Sequence, residues 1–201
     1  MTVGVKARPR GRPDEGARES LIEAATELFI EKDYGAVGTE EILRRAQVSR
    51  GALYHHFPSK LDLFRAVFQA SEARVVERIA LAAAEAAGPF EALVLASRAY
   101  LREAETSEEL RRIGILQSRA VLGWEGWRDV ASRLGLGLAE ASLAAAMDAG
   151  EIRRRDLRTT AHVVLAALIE GATLVATAEE PARVRADVEQ VAMDLLHGLR
   201  D

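Results

Sequence analysis

The apolar residues of the chain recur at helical spacing almost throughout its length. Positions three and four residues apart form one face of an α-helix, whereas the residues of a half-buried strand alternate with a period of two. Ala, Leu, Glu and Arg are frequent, and only five prolines interrupt the pattern. The pattern predicts an all-α protein of about nine helices.

The first third of the chain predicts four helices in close succession, of which the middle two are short. Their predicted ranges are 17–32, 39–46, 50–57 and 60–85. One face of the first helix is apolar and is formed by Leu21, Ala25, Leu28 and Phe29. Thr39, Ser49 and Ser59 are expected to cap the other three, because a side-chain oxygen at this position accepts a hydrogen bond from a free N–H group of the first turn.

The rest of the chain predicts longer helices. Their ranges are about 90–105, 124–149, 159–178 and from Pro181 onwards, with a capping box at Thr106-Ser107-Glu108-Glu109, a break at Leu122-Gly123 and a helix end at Gly150. The last helix carries an apolar stripe formed by Val184, Val188, Val191, Leu195 and Leu199. Such a stripe requires a partner surface.

The charge is unevenly distributed, although the whole chain carries a formal charge of only −4. Residues 1–12 contain four bases and no acid, whereas residues 61–201 contain 17 bases and 22 acids. The four bases are Lys6, Arg8, Arg10 and Arg12. This distribution predicts a basic flexible arm over 1–16 that is attracted to nucleic acid, although a solubilising tail would have the same composition.

Several classes of protein need residues that this sequence lacks. The chain has no cysteine, which excludes disulfides, thiolate metal sites and a cysteine nucleophile. It also has no HExxH, GxSxG or phosphate-loop motif, so we expect neither an enzyme nor a bound metal or cofactor. No signal peptide and no stretch of about 18 uncharged apolar residues is found, so a cytoplasmic protein without a membrane partner is expected.

A capped short helix, a tight turn and a second short helix have the proportions of a helix-turn-helix, whose second helix enters the DNA major groove. The segment from Thr39 to Phe64 resembles the DNA-binding signature of the TetR family of transcriptional regulators. The matching residues are Thr39, Ile42, Ala46, Val48, Ser49, Gly51, Leu53, Tyr54, Phe57, Lys60 and Leu63. The family usually has glycine in place of Gln47, and a left-handed glutamine there should cost roughly 1 kcal/mol.

The resemblance implies a helix-turn-helix DNA-binding domain over 17–66 and a helical ligand-binding and dimerisation domain over 67–201. It implies a homodimer through the last two long helices, although their apolar residues could instead form an intrachain core. The implied function is a ligand-responsive repressor that binds a palindromic double-stranded operator and is released by a small hydrophobic or amphipathic effector. Activation is the alternative outcome of DNA binding.

The second short helix has a predicted buried face and a predicted DNA-reading face. Leu53 and Phe57 are one turn apart and should be buried. The residues expected to face DNA are Ser49, Arg50, Gly51, Ala52, Tyr54 and His55. Arg50 is the expected base-reading residue, because a guanidinium group pairs with guanine O6 and N7, while the Ala52 methyl group can contact thymine.

Phosphate contacts are implied by the family resemblance and suit the chemistry of the side chains. The implied residues are Thr39, Tyr54, His56 and Lys60. His56 could instead be packed in the core. In the arm, the run from Pro9 to Pro13 resembles an AT-hook, in which Arg10 and Arg12 would lie in the minor groove; loose attraction to phosphates is the alternative.

Large or polar residues on otherwise apolar helices are candidates for an effector pocket. They are Tyr100, Gln117, Trp124, Trp127, His162 and Glu170. The two tryptophans could instead form a core pair. A membrane-active or purely structural helical dimer is the alternative to a regulator, and it predicts salt-sensitive binding to anionic vesicles without any DNA sequence preference.

Overall fold

A computed structural model of the chain describes residues 13–131 and 135–200. These residues form nine α-helices, one 3-10 turn and one π-helical segment, without a strand. The first elements are α1 (Pro13–Glu31), the 3-10 turn (Tyr34–Ala36), α2 (Thr39–Ala46), α3 (Arg50–His56) and α4 (Lys60–Ala83). The others are α5 (Pro89–Thr106), the π-helical segment (Leu110–Gln117), α6 (Ser118–Ala131), α7 (Gly137–Asp148), α8 (Leu157–Thr177) and α9 (Pro181–His197). The all-α prediction is confirmed.

The chain divides into two compact units, and the division falls after Val67. The sequence placed its domain boundary one residue earlier. The first unit holds α1, the 3-10 turn, α2, α3 and the start of α4. The second unit holds the rest of α4 and all later helices.

An aromatic cluster of Phe29, Tyr34 and Phe64 lies in the first unit. The ring centroids of Phe29 and Phe64 are 5.0 Å apart, and Tyr34 lies 5.7 Å from Phe29 and 5.3 Å from Phe64. Aromatic pairs prefer such edge-on and offset geometries. Because the three rings come from α1, the 3-10 turn and α4, their contacts fix these elements relative to one another. The predicted apolar face of α1 is confirmed, since Leu21 and Leu28 are fully buried.

The first helix begins at Pro13, four residues before its predicted start. Proline suits the first helical position because it has no N–H group to leave unbonded. The predicted arm over 1–16 is therefore wrong for residues 13–16, and the remaining arm residues lie outside the described part of the chain.

Two of the predicted N-caps are confirmed, and a third is wrong. The hydroxyl oxygens of Ser49 and Ser59 accept hydrogen bonds, each 3.2 Å long, from the N–H groups of Ala52 and Asp62. Gly38, not Thr39, is the N-cap of α2. Its extended backbone already leads into the helix, so Thr39 falls in the first turn.

The predicted capping box after α5 is displaced by one residue. The hydroxyl oxygen of Ser107 accepts a hydrogen bond from the Leu110 N–H group at 3.2 Å. Thr106 instead donates to the Arg102 carbonyl oxygen at 2.9 Å, because it still belongs to α5. The π-helical segment Leu110–Gln117 follows shortly afterwards, and the sequence did not predict it.

Two glycines with positive φ match predicted breaks. Gly123 has φ +69° and kinks α6, and Gly150 has φ +72° just after α7. Between them, the predicted single helix over 124–149 is described as the end of α6 and the whole of α7. Its continuity depends on residues 132–134, which lie outside the described residues.

The core of the second unit lies between α5, α7, α8 and α9. Its buried residues include Phe90, Leu93, Leu143, Ala161 and Leu196. The opposite faces of α8 and α9 leave large apolar residues exposed, namely Val163, Leu174, Val191 and Leu195. By length and composition α8 could cross a membrane, and 28% of its most apolar stretch is buried within the described chain. One such helix is weak evidence for a membrane span, and α8 carries Arg158 and Glu170, so the expectation of no stretch of about 18 uncharged apolar residues is not contradicted.

Gln47 is the one non-glycine residue with positive φ among the described residues, at φ +56° and ψ +37°. This confirms the predicted left-handed turn between α2 and α3. We expect Gln47→Gly to raise the unfolding free energy by about 1 kcal/mol, because glycine has no Cβ to strain this conformation. Urea unfolding measures the change. Gln47→Ala, which keeps the Cβ, should give no gain, and an equal gain from both variants would refute the strain.

Candidate functional site

The short helix α3 has one buried face and one exposed face, as predicted. Leu53 and Phe57, one turn apart, are 2% and 4% exposed. The exposed residues are Arg50, Gly51, Tyr54 and His55, while Ala52 and His56 are half-buried. The backbone around Gly51 is open, since a Cβ built there would meet nothing closer than the Ser49 hydroxyl at 4.0 Å. The surface at the start of this helix is therefore open around Gly51.

Arg50 is held by weak contacts that DNA can replace. Its guanidinium nitrogen lies 3.1 Å from a Glu40 carboxylate oxygen, and both side chains are 69% exposed. Its guanidinium carbon also lies 5.8 Å from the centroid of the Tyr54 ring. Because exposed ion pairs contribute little to stability, Arg50 can leave Glu40 at small cost.

Other bases of the first unit are used within it. Arg45 forms ion pairs with Glu27 and Glu31 of α1, each at 3.0 Å. Lys32 pairs with Glu41 at 2.6 Å. These pairs connect α2 with the C-terminal end of α1.

Lys60 has an internal role that the sequence did not predict. Its ammonium group donates hydrogen bonds to the carbonyl oxygens of Tyr34 and Val37, each 2.9 Å long, and lies 4.1 Å from the centroid of the Tyr34 ring. Burial lowers the pKa of Lys60. At least two of its three N–H groups are therefore engaged with the 3-10 turn region, and its predicted phosphate contact stays a prediction for the third.

The other predicted DNA contacts lie around α2 and α3. Thr39 is half-buried at the start of α2, and Ser49 is exposed at the start of α3. The His56 ring centroid lies 5.2 Å from that of His55 and 6.3 Å from that of the buried Phe57, so it borders the core. Arg10 and Arg12 lie outside the described residues.

In the second unit, helices α4 to α8 and the π-helical segment line a largely apolar cavity of about 130 Å³. A single water molecule needs about 10–15 Å³ of such space, so the cavity has room for a larger molecule. Of the predicted pocket residues, Tyr100 and Trp127 line this cavity. The π-helical segment contributes Leu110, Gly114 and Ile115.

A second cavity, of about 490 Å³, shares part of its wall with the first. Four predicted pocket residues line it, namely Trp124, Trp127, His162 and Glu170. Gln117 is buried but lines neither cavity, so its predicted pocket role is not supported. The core-pair alternative fails for Trp124, which is 59% exposed beside Trp127.

Sequence reasoning missed three charged residues of these cavities, namely Glu72, Arg119 and Arg128. Arg119 lines both, and its guanidinium carbon lies 4.2 Å from the Trp127 ring centroid. A Cβ built on Gly114 would lie 3.3 Å from Oε1 of Glu72, so the carboxyl group packs against a backbone without a side chain. A signal for Glu72 existed, because it shares a helix face with Phe68, Val75 and Ile79.

The apolar surroundings perturb both acidic groups of the first cavity. Burial raises the pKa of Glu72 to about 7 from its ordinary 4.5. Burial also raises the pKa of Tyr100; the negative charge of Glu72 adds to this increase, and the positive charge of Arg119 opposes it. The cavity therefore holds a carboxyl group that titrates near neutral pH.

Comparison with known proteins assigns both units. The family description "Bacterial regulatory proteins, tetR family" matches residues 21–67, and "Tetracyclin repressor-like, C-terminal domain" matches residues 90–199. The chain belongs to the TetR family of bacterial transcriptional regulators. Together the two matches cover most of α1, the whole of α2 and α3, and nearly all of α5 to α9, but not residues 68–89, which include the part of α4 that lines the first cavity. The matches confirm the resemblance seen in the sequence.

Curated relatives match this TetR-family chain over about a third of its length. The transcriptional regulator AcuR of Cereibacter sphaeroides is 46% identical over 66 residues, which are 32% of this chain and 30% of AcuR. The transcriptional activator FasR of Mycolicibacterium smegmatis is 43% identical over 67 residues, which are 33% of this chain and 31% of FasR. The matches thus span about a third of each relative.

Solved structures of the family match nearly the whole chain. A TetR-family transcriptional regulator from Pectobacterium atrosepticum has a TM-score of 0.81 and is 28% identical, with 95% of this chain and 98% of that chain covered. This agreement confirms the predicted fold class, an N-terminal helix-turn-helix followed by a C-terminal helical domain.

We expect Glu72→Gln to stabilise the unliganded TetR-family protein more at high pH than at low pH. The folded state holds the Glu72 proton more tightly than the unfolded state, so the unfolding free energy falls as pH rises from about 4.5 to about 7. Glutamine removes this penalty. Urea unfolding at pH 5 and pH 8 measures the difference.

Glu77→Gln is the matched control, since Glu77 is an exposed acid on the same helix. It should change stability equally at both pH values. A Glu72→Gln gain that does not grow with pH would contradict a raised pKa.

Proposed function

We propose that this protein is a transcriptional repressor that binds a palindromic DNA operator as a homodimer and leaves it when a small molecule occupies the cavity of its second unit. The observation that carries the proposal is the exposed face of α3, where Arg50 stands beside Gly51. Its small residues let the backbone approach base edges, and the guanidinium group of Arg50 can bind guanine.

The exposed apolar residues of α8 and α9 support a homodimer. Val191 and Leu195 lie one turn apart on α9 and are 60% and 57% exposed. Val163 and Leu174 are exposed on α8. A second copy would remove these residues from water, and two helix-turn-helix units about 34 Å apart would fit successive major grooves. The same burial would account for the apolar character of α8 without a membrane.

The cavities support a small hydrophobic or amphipathic effector. A molecule that prefers the DNA-free arrangement of the dimer lowers operator affinity by its own difference in affinity for the two arrangements. Because effector binding and operator binding are linked in this way, the protein senses the effector in the cytoplasm, where the operator DNA lies. Activation is the second candidate function, because FasR, which is similar over 67 residues, is named an activator.

A DNase footprint on the DNA upstream of the protein's own gene tests the proposal, with competitor DNA at about 150 mM salt. The expected result is a protected inverted repeat with half-sites about one helical turn apart. Protection only on other genomic fragments would reject regulation of the protein's own gene but would still support a DNA-binding regulator. Diffuse binding without a site on any fragment would reject the α3 interface. A protected site that raises transcription in a reporter would replace repression by activation.

Arg50→Ala should weaken operator binding by about 1–3 kcal/mol and relax base preference at one position in each half-site, because it removes a base contact. Titration against operators that differ at single positions measures both effects. Arg44→Ala is the control, since Arg44 is an exposed arginine on α2. It should leave base preference intact. The same relaxation in both variants would show that Arg50 does not read a base.

Leu195→Glu should convert the dimer to a monomer, because a carboxylate would have to be buried in an apolar interface. Light scattering coupled to size-exclusion chromatography gives the mass, and circular dichroism checks that the helices persist. Leu81→Glu is the control, because Leu81 is 65% exposed but lies on α4. A Leu195→Glu protein that stays dimeric would place the interface elsewhere.

A further inference from the structure

The carboxyl group of Glu72 stands without a hydrogen bond or ion pair to any described residue, although it lines an apolar cavity. Buried charged groups in proteins are normally paired, because an isolated charge loses its hydration without compensation. Even the partly exposed arginines elsewhere on α4 are paired, Arg74 with Glu109 and Arg78 with Glu103. Glu72 lies on the same helix and lines the cavity, but its carboxyl group has no such partner among the described residues.

The other small polar groups of the cavity wall are already satisfied. The hydroxyl groups of Ser97, Ser142 and Thr173 each donate to the carbonyl oxygen four residues earlier, at 2.8 to 2.9 Å. They therefore offer no proton to Glu72. The titratable residues of the described wall are Glu72 on α4, Tyr100 on α5 and Arg119 on α6; those from the π-helical segment, α7 and α8 are neutral.

Arg119 does not neutralise Glu72 in this structure. No ion pair joins them, and the pKa of Glu72 is raised by burial with no counteracting positive charge. The guanidinium group of Arg119 instead lies over the ring of Trp127. The cavity thus presents a lone acceptor on α4, a phenol on Tyr100, and an aromatic surface on the side of Trp127.

We propose that the effector is a hydrophobic cation, a molecule with a protonated amine or quaternary ammonium group that pairs with Glu72 while its apolar body fills the space toward Tyr100 and Trp127. This inference rests on the proposed function, in which the cavity holds the effector. It adds the chemical class of the ligand, which neither the fold nor the relatives specify.

A cation is favoured because only a positive charge can pair with the ionised carboxylate of Glu72, which otherwise faces an apolar wall. A bound positive charge would restore the ionised state of Glu72, and the aromatic face of Tyr100 also attracts cations. A carboxylate ligand would meet the like charge of ionised Glu72, whereas Arg119, the one base of the described wall, already lies over the Trp127 ring. A neutral ligand would gain only apolar contact, or a hydrogen bond to protonated Glu72.

Two probes of nearly equal shape test the charge. Benzyltrimethylammonium is a permanent cation, and neopentylbenzene replaces its nitrogen by carbon. The anion 3-phenylpropanoate is the third probe. Binding to the full-length wild-type protein is followed by the fluorescence of Trp127 and Trp124 at pH 5.5 and pH 8, and each probe is also added to the operator footprint.

The expected result is that wild type binds the cation at least tenfold more tightly than the neutral isostere at pH 8, and that this preference shrinks at pH 5.5 as Glu72 is protonated. Glu72→Gln should lose the cation preference and its pH dependence while binding the neutral isostere within about twofold of wild type. Glu77→Gln should behave as wild type. The cation should also release the protein from its operator.

Equal affinity for the cation and its isostere at pH 8, tighter binding of the anion, no binding of the cation, or a cation preference that survives Glu72→Gln would each overturn the inference. Binding of the cation without release of DNA would overturn its role as an effector. The footprint without any probe tests the proposed function separately. A protected operator therefore supports the proposed operator-binding regulator even if every probe result rejects a cationic effector.

Discussion

The proposed DNA-binding surface depends on the burial of Leu53, from a helix of seven residues, and of Phe57, which directly follows that helix. Isolated helices shorter than about 12–15 residues are marginal in water, so α3 needs tertiary contacts to exist. Leu53 and Phe57 supply them on one face, and the Ser49 cap satisfies a backbone N–H group at its start. The opposite face, with Arg50 and Tyr54, is consequently held in one orientation. The left-handed Gln47 sets the turn that makes this burial possible.

The helices around α3 are joined by contacts that leave the exposed face of α3 accessible. Ion pairs of Arg45 and Lys32 connect α2 with α1, and Lys60 ties the start of α4 to the 3-10 turn region. The bases that serve the scaffold thus differ from Arg50, whose exposed pair with Glu40 is easily exchanged. The second unit differs, because the acid Glu72 is half-buried in a cavity wall without an ion pair to any described residue.

Much of the fold and the division of α3 into a buried and an exposed face could be predicted, because both depend on local patterns. Apolar spacing of three and four residues identified the helices, and serine before a helix start identified the caps at Ser49 and Ser59. Errors occurred where neighbouring residues compete for one role, as at Gly38 and Thr39. The cavity was predicted less well, since Tyr100 and Trp127 line it but Gln117 does not and Glu72 was missed. A side chain's position on its own helix does not say which other helices enclose it.

The sequence by itself determined the helices, the turn between α2 and α3, and the split of α3 into a buried and an exposed face, because these follow from the backbone preferences and side-chain spacing of adjacent residues. Tertiary structure alone decided that Lys60 bonds to the carbonyl groups of Tyr34 and Val37, that a π-helical segment borders the cavity, and that Glu72 meets no base. Those outcomes depend on contacts between residues far apart in the chain, and the packing of whole helices sets them.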